Sequence, residues 1–213
     1  MGYNVAIDGP AGAGKSTIAK LVAKEKGYIY VDTGAMYRGM AIHFLDKGIR
    51  AKETDKIISA LKDAEVTIRY EEGLQQVYLN GRNITDRLRE EEVGKMASLT
   101  SAIPQVRQKL LELQKGLART QDVIMDGRDI GTCVLPYADV KIYLTASVET
   151  RAKRRYDELT EKGIACDLDE IERDIKERDE RDSTREIAPL KQAEDAVLVD
   201  SSHMTIDEVV AAI

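Results

Sequence analysis

A glycine-rich segment near the start of the chain has the residue types and spacing most specific for chemistry. It follows a short apolar run, fits GxxxxGK[ST], is followed by Thr17, and consists of Gly9, Pro10, Ala11, Gly12, Ala13, Gly14, Lys15 and Ser16. Glycines let backbone N–H groups point at phosphate oxygens, and the helix that begins here adds the positive end of its dipole. Lys15 can reach the β- and γ-phosphates, and the Ser16 hydroxyl can bind Mg²⁺. The segment predicts a nucleoside triphosphate site.

Two further polar segments follow short apolar runs. Residues 32–38 read Asp-Thr-Gly-Ala-Met-Tyr-Arg, so a strand end feeds a helix with Arg38 in its first turns, a second anion site. Residues 126–132 read Asp-Gly-Arg-Asp-Ile-Gly-Thr, at the strand ends where open α/β sheets bind ligands. Asp126 can hold a water on Mg²⁺, and Arg128 and Asp129 can reach a substrate cleft. A solvated Arg38 and a local Arg128–Asp129 ion pair are the alternatives.

Two arginine clusters lie in the second half of the chain. One helix face carries Arg151, Arg154 and Arg155 at i, i+3 and i+4, and the second cluster consists of Arg178, Arg181, Asp182 and Arg185. Phosphoryl transfer spreads negative charge over oxygen atoms, so arginines on a closing lid can neutralise that charge and exclude water. The alternative is that these residues form weak i,i+4 ion pairs on solvated helices.

The elements that must position these residues alternate along the chain. Short apolar runs predict strands at residues 4–8, 28–31, 123–126, 140–144 and 196–200. Helical patterns cover residues 16–26, 104–119, 148–162, 169–181 and 205–213. The alternation predicts an α/β fold with a parallel sheet and helices on both faces. Period-two alternation from residue 65 to 79 predicts a small antiparallel insert, without a second independent domain.

Composition and charge limit the classes of partner. The chain has 213 residues, with 32 Lys and Arg against 38 Asp and Glu, a net charge of -6. Because no basic stripe is present, we expect no nucleic-acid partner. The two cysteines are far apart and no long apolar stretch occurs, so we expect a cytoplasmic protein without a membrane partner. Surface or capping roles are expected for His43, and a packing role for Cys133.

With these segments in this order, the sequence resembles the bacterial cytidylate kinases. The shared stretches are residues 7–16, 32–38, 126–132 and 178–190, which together span nearly the whole chain in the right order. It implies a single P-loop kinase domain with a five-stranded parallel sheet, a small antiparallel insert near residues 63–93 and a short lid. Its parts would be a core of residues 1–33, 98–150 and 186–213, a monophosphate-binding region at 34–97, and a lid with Arg-rich helices at 151–185.

The resemblance also implies roles for individual residues. The cytosine edge would be read by Ser98, Arg107 and Asp129, the ribose by Arg178 and Asp182, and the monophosphate by Thr33, Arg38, Arg128 and Arg185. The catalytic group would be Lys15, Arg128, Arg151, Arg155 and Arg185. The expected reaction moves the γ-phosphate of ATP, with Mg²⁺, to CMP or dCMP in a monomeric enzyme. A kinase for another small acceptor, or a nucleotide-dependent switch, is the alternative.

Overall fold

The computed structural model describes residues 2–213, so Met1 of the predicted core segment 1–33 lies outside the described residues. The strands are β1 (Asn4–Asp8), β2 (Ile29–Asp32), β3 (Val66–Glu71), β4 (Leu74–Leu79), β5 (Arg82–Asn83), β6 (Val123–Gly127), β7 (Val140–Thr145) and β8 (Val197–Asp200). The helices are α1 (Lys15–Lys26), α2 (Thr33–Asp46), α3 (Thr54–Ala60), α4 (Glu91–Thr100), α5 (Pro104–Thr120), α6 (Val148–Glu161), α7 (Leu168–Thr184) and α8 (Ile206–Ala212).

Five parallel strands form the main sheet, in the order β2-β6-β1-β7-β8. Each of the five predicted strands is confirmed, with ends that differ by one residue at most from the expected ones. Because the strands are parallel, their carboxyl ends meet at one edge, where Asp8, Asp32 and Asp126 lie at the ends of β1, β2 and β6. The polar segments identified in the sequence therefore converge.

Helices cover both faces of this sheet, as predicted. The alternation of β1 directs Ala6 into one core with Met36 and Phe44 of α2, and Ile7 into a second core with Ile18 of α1. Successive strand residues point to opposite faces, so a continuous apolar run is what a strand buried on both sides requires. The two cores pack on both faces of the strands whose ends lie beneath the candidate site.

A separate three-stranded antiparallel sheet, β3-β4-β5, forms the predicted insert. Its β3–β4 register places Val66 opposite Leu79 and Ile68 opposite Val77, so these four apolar residues share one face. That face packs against α2, where a Cβ added to Gly39 would lie 3.4 Å from side-chain atoms of Val66 and Val77. The insert is thus fixed to the helix that follows β2.

Two expectations from the sequence are wrong, and two helices escaped prediction. His43 is buried on α2 and its Nε2 lies 3.0 Å from the carbonyl oxygen of Ala60, whereas a surface or capping role was expected. Cys133 is exposed rather than packed, because residues 130–134 form a π-helical turn that directs it outward. The short helices α3 and α4 have too few turns to show a clear apolar period. Within residues 2–213, the helices are all too short or too polar to cross a membrane.

Candidate active site

The glycine-rich loop forms a tight curl between β1 and α1. Gly9 has φ +150°, and a Cβ on it would lie 1.9 Å from the carbonyl oxygen of Leu144. Gly12 and Gly14 have φ +78° and +87°, which only glycine adopts without strain. Lys15 is buried at the start of α1, and its Nζ donates to the Pro10 carbonyl oxygen at 2.7 Å. Burial lowers the pKa of Lys15, and the neighbouring Arg128 lowers it further.

Asp126 connects the loop to the neighbouring strand. Its Oδ2 accepts a hydrogen bond from the Ser16 hydroxyl at 2.7 Å, and its Oδ1 accepts one from the Tyr30 hydroxyl at 3.2 Å. Burial raises the pKa of Asp126 to about 6, and the negative charge of Asp32 acts in the same direction. The Thr33 hydroxyl donates to the Asp126 carbonyl oxygen at 2.7 Å. Ser16, Asp126 and Thr33 are therefore adjacent.

A network of arginines and carboxylates lies beside the loop. Asp129 is buried, forms an ion pair with Arg107, and accepts from Arg185 Nη2 at 3.3 Å. Burial raises the pKa of Asp129, while the positive charges of Arg107 and Arg185 oppose that rise. Arg128 Nε donates to Asp182 Oδ2 at 3.0 Å. The alternative of an Arg128–Asp129 ion pair is therefore wrong: each residue pairs with a distant partner.

Positive charge exceeds negative charge in this network. Arg178 Nε is buried and has no hydrogen-bond partner within residues 2–213. The pKa of Arg178 is lowered to about 10, first by burial and then by the positive charges of Arg128, Arg38 and Arg181. A buried guanidinium with an unused donor is costly unless an anion reaches it. The arrangement is that of an anion-binding cleft.

Arg151 joins the loop to the two helices of the predicted lid. Its guanidinium is buried and donates to the carbonyl oxygens of Ala146 at 2.9 Å and Ala11 at 3.0 Å. Its third contact is an ion pair of 2.6 Å with Asp179 on α7. Arg151 therefore fixes α7, which carries Arg178 and Asp182, against the glycine-rich loop.

Other predicted residues lie farther from these contacts. Arg155 is exposed on α6 and pairs with Glu158 at 2.8 Å, so its catalytic role stays a prediction. Thr17 is exposed on α1. Ser98 accepts a hydrogen bond from Arg181 Nη1 at 3.0 Å, which places Ser98 beside the second arginine cluster. Arg154 donates to the Ser201 carbonyl oxygen at 2.7 Å, so it binds the residue that follows β8.

Sequence reasoning missed Asp8, which anchors the loop that carries Asp129. The two carboxylate oxygens of Asp8 accept from the backbone N–H groups of Ile130 and Gly131, each at 2.7 Å. Burial raises the pKa of Asp8 to about 6, while these two hydrogen bonds act in the opposite direction. An acidic residue at the end of a buried strand was the available signal, although its partners are more than 120 residues away.

Comparison with known proteins identifies the family. A family model described as cytidylate kinase matches residues 5–213. The chain belongs to the cytidylate kinase family. The prediction of a nucleoside monophosphate kinase, a phosphotransferase, is confirmed by this membership.

Individual cytidylate kinases are similar over almost their whole length. The cytidylate kinase of Caldicellulosiruptor saccharolyticus is 52% identical over 206 residues, which cover 97% of this chain and 91% of that protein. The cytidylate kinase of Lactobacillus johnsonii is 50% identical over 209 residues, covering 98% and 91%. Among solved structures, an uncharacterized protein from Eubacterium ventriosum has the same fold, with a TM-score of 0.50, 12% identity and coverage of 99% and 94%.

Replacing Asp8 by Asn should reduce the pH dependence of stability. The pKa of Asp8 is about 6 in the folded protein against an ordinary value of 3.8, so folding binds a proton between these pH values. The stabilising contribution is fully present below about pH 4 and lost as pH rises through about 6, and about 1 kcal/mol of that loss falls between pH 5 and 7.5. Denaturant unfolding at pH 5 and 7.5 measures the difference.

The exposed Glu161→Gln variant is the control for this measurement, and it should retain the wild-type pH dependence. The same pH dependence in Asp8→Asn and the wild type would show that Asp8 does not titrate in this range.

Proposed function

We propose that the chain transfers the γ-phosphate of ATP to CMP or dCMP, giving ADP and CDP or dCDP. The observation that carries this proposal is the cleft itself. Two arginines hold a buried carboxylate, Asp129, next to the glycine-rich phosphate loop at residues 9–16, which leads into α1 at Lys15. The loop suits the donor, and the arginine-lined cleft suits a second phosphorylated ligand.

The base of the acceptor would meet Asp129, Arg107 and Ser98. Cytosine carries an N4 amino donor that suits a carboxylate, and acceptors at O2 and N3 that suit guanidinium or hydroxyl groups. Arg107 and Arg185 both contact Asp129, so they orient its carboxylate and favour its charged form against the effect of burial. This pair of contacts supports a specificity role for Asp129.

The sugar and phosphate of the acceptor would occupy the region of excess positive charge. Asp182 and Arg178 would bind the ribose, and Thr33, Arg38, Arg128 and Arg185 the phosphate. The acceptor oxygen is already an anion, so the reaction needs no general base. The protein instead aligns the two phosphates and neutralises the charge that develops in the transition state.

The donor would lie on the loop of residues 9–17, with Lys15 against its terminal phosphates. Ser16 Oγ and Asp126 Oδ2 lie 2.7 Å apart, and both are hard oxygen ligands of the kind that Mg²⁺ prefers, Asp126 acting through a water. Mg²⁺ bound there would neutralise charge on the β- and γ-phosphates. Arg151 and Arg155 would contribute from the lid; closure of the lid, a monomeric state and a cytoplasmic location stay predictions.

An ADP-release assay with different acceptors tests the proposal. CMP and dCMP should stimulate ADP release strongly, while UMP, AMP and the absence of an acceptor should leave it near background. Lys15→Met should lower CMP-dependent turnover by about 10²- to 10³-fold because it removes one preorganised cation. Lys24→Met, an exposed position on the same helix, is the matched control and should retain activity.

Stimulation by another monophosphate instead of CMP would reassign the acceptor. ATP hydrolysis that no acceptor stimulates would point to a nucleotide-dependent switch and would contradict the proposal.

Asp129→Asn should shift acceptor preference toward UMP. A carboxamide can donate to the uracil O4, which a carboxylate cannot, and discrimination between base edges by one such pair is worth about tenfold or more in specificity. The ratio of kcat/KM for UMP to that for CMP measures the change. An unchanged ratio would show that Asp129 does not read the base.

A further inference from the structure

The insert contacts the edge of the main sheet through a glutamine side chain. Gln75 Oε1 accepts a hydrogen bond from the backbone N–H of Asp32 at 2.9 Å, and Gln75 Nε2 donates to the carbonyl oxygen of Asp32 at 3.2 Å. One carboxamide thus satisfies both backbone groups of one residue. This is the pattern that a neighbouring strand would supply, yet β2 is the last strand on this side of the sheet.

A second residue of the insert contacts the backbone of β2, two positions before Asp32. The Tyr70 hydroxyl donates to the carbonyl oxygen of Tyr30 at 3.1 Å. Tyr70 lies directly opposite Gln75 in the β3–β4 register, so both side chains extend from the same face of the insert. That face is otherwise apolar and packs on α2. Two polar side chains, Gln75 and Tyr70, therefore extend this apolar face to the edge of β2, where they bind backbone groups.

Residues 30–32 of β2, which these contacts hold, lead directly into the candidate active site. Asp32 caps α2, because its Oδ1 accepts from the backbone N–H of Ala35 at 2.9 Å. Thr33 follows and bonds to the Asp126 carbonyl oxygen, while the Tyr30 hydroxyl bonds to the Asp126 carboxylate. The start of α2, which presents Thr33 and Arg38, is thereby placed by the backbone of residues 30–32.

We propose that Gln75 and Tyr70 are positioning residues for the acceptor phosphate. They hold the end of β2, and through it the first turn of α2, at the spacing from Asp126 that acceptor binding requires. This inference rests on the proposed function, since it concerns the phosphate of that acceptor. It assigns the insert a part in the reaction without direct contact between insert and substrate. The glycine-rich loop is also held by the Lys15–Pro10 hydrogen bond and by Arg151 on the Ala11 carbonyl oxygen, so we expect donor binding to change less than acceptor binding.

The hairpin offers a matched control for each residue on its opposite face. Gln76 is adjacent to Gln75, is also half-buried, and accepts a hydrogen bond from Asn83 Nδ2 at 3.3 Å. Tyr78 is half-buried like Tyr70, and its hydroxyl donates to Glu71 at 2.6 Å. Each control loses a hydrogen bond within the insert but none to β2.

Steady-state kinetics of four variants test the proposal. Gln75→Ala should raise the KM for CMP about tenfold through the loss of two hydrogen bonds, and Tyr70→Phe about threefold through the loss of one, with KM for ATP changed less than about twofold. Gln76→Ala and Tyr78→Phe should stay within about twofold of the wild type for both substrates, a change too small for a lost positioning contact. Thermal melting of all four variants tests whether each remains folded under the assay conditions.

Two outcomes would overturn the proposal. One is a KM for CMP in Gln75→Ala equal to that in Gln76→Ala, and the other is an equal rise in the KM for ATP, which indicates general loosening. If Gln75→Ala does not fold, Tyr70→Phe against Tyr78→Phe decides by the same criteria. A wild-type protein that does not phosphorylate CMP contradicts the proposed function instead, so the two failures are distinguishable.

Discussion

Several guanidinium groups and few carboxylates lie together in a cleft shielded from water. The free-energy cost of this arrangement constrains the rest of the structure. Arg107, Arg128 and Arg185 are partnered by Asp129 and Asp182, while Arg178 retains a buried donor without a partner within residues 2–213. Like charges in a dry environment repel and lose hydration. The fold must therefore hold these side chains in place until anionic ligands supply the missing negative charge.

The two cores and the backbone contacts around the cleft supply that support. The parallel sheet directs the ends of β1, β2 and β6 to one edge, where Asp8 and Asp126 bind the segments that follow β6 and β1. Gln75 binds the end of β2 to the insert. Arg151 adds the connection between loop and α7. A net charge of -6 describes the whole surface, so an acidic protein can still present a strongly positive interior site.

Much of the fold and of the site composition could be predicted from the sequence. The five buried strands appear as short apolar runs, and the glycines, lysine and serine of residues 9–16 have a spacing specific for a phosphate-binding loop. Both signals are local. Asp8 and Gln75 could not be assigned because they bind backbone groups of residues distant in sequence, and backbone groups leave no mark in the sequence. The contacts of the Arg151 guanidinium with Ala11, Ala146 and Asp179 are not revealed by the helical spacing alone, and its catalytic role stays a prediction.

The excess of positive charge around Arg178 predicts that the acceptor binds chiefly through the charge of its phosphate. Calorimetric titration with CMP and with cytidine, each without ATP, measures the contribution of that phosphate to binding. CMP should bind at least about 100-fold more tightly than cytidine, because charge-assisted hydrogen bonds to the arginines are lost with the phosphate, and higher salt should narrow this gap. Equal affinities for CMP and cytidine would show that the positive charge of the cleft does not drive acceptor binding.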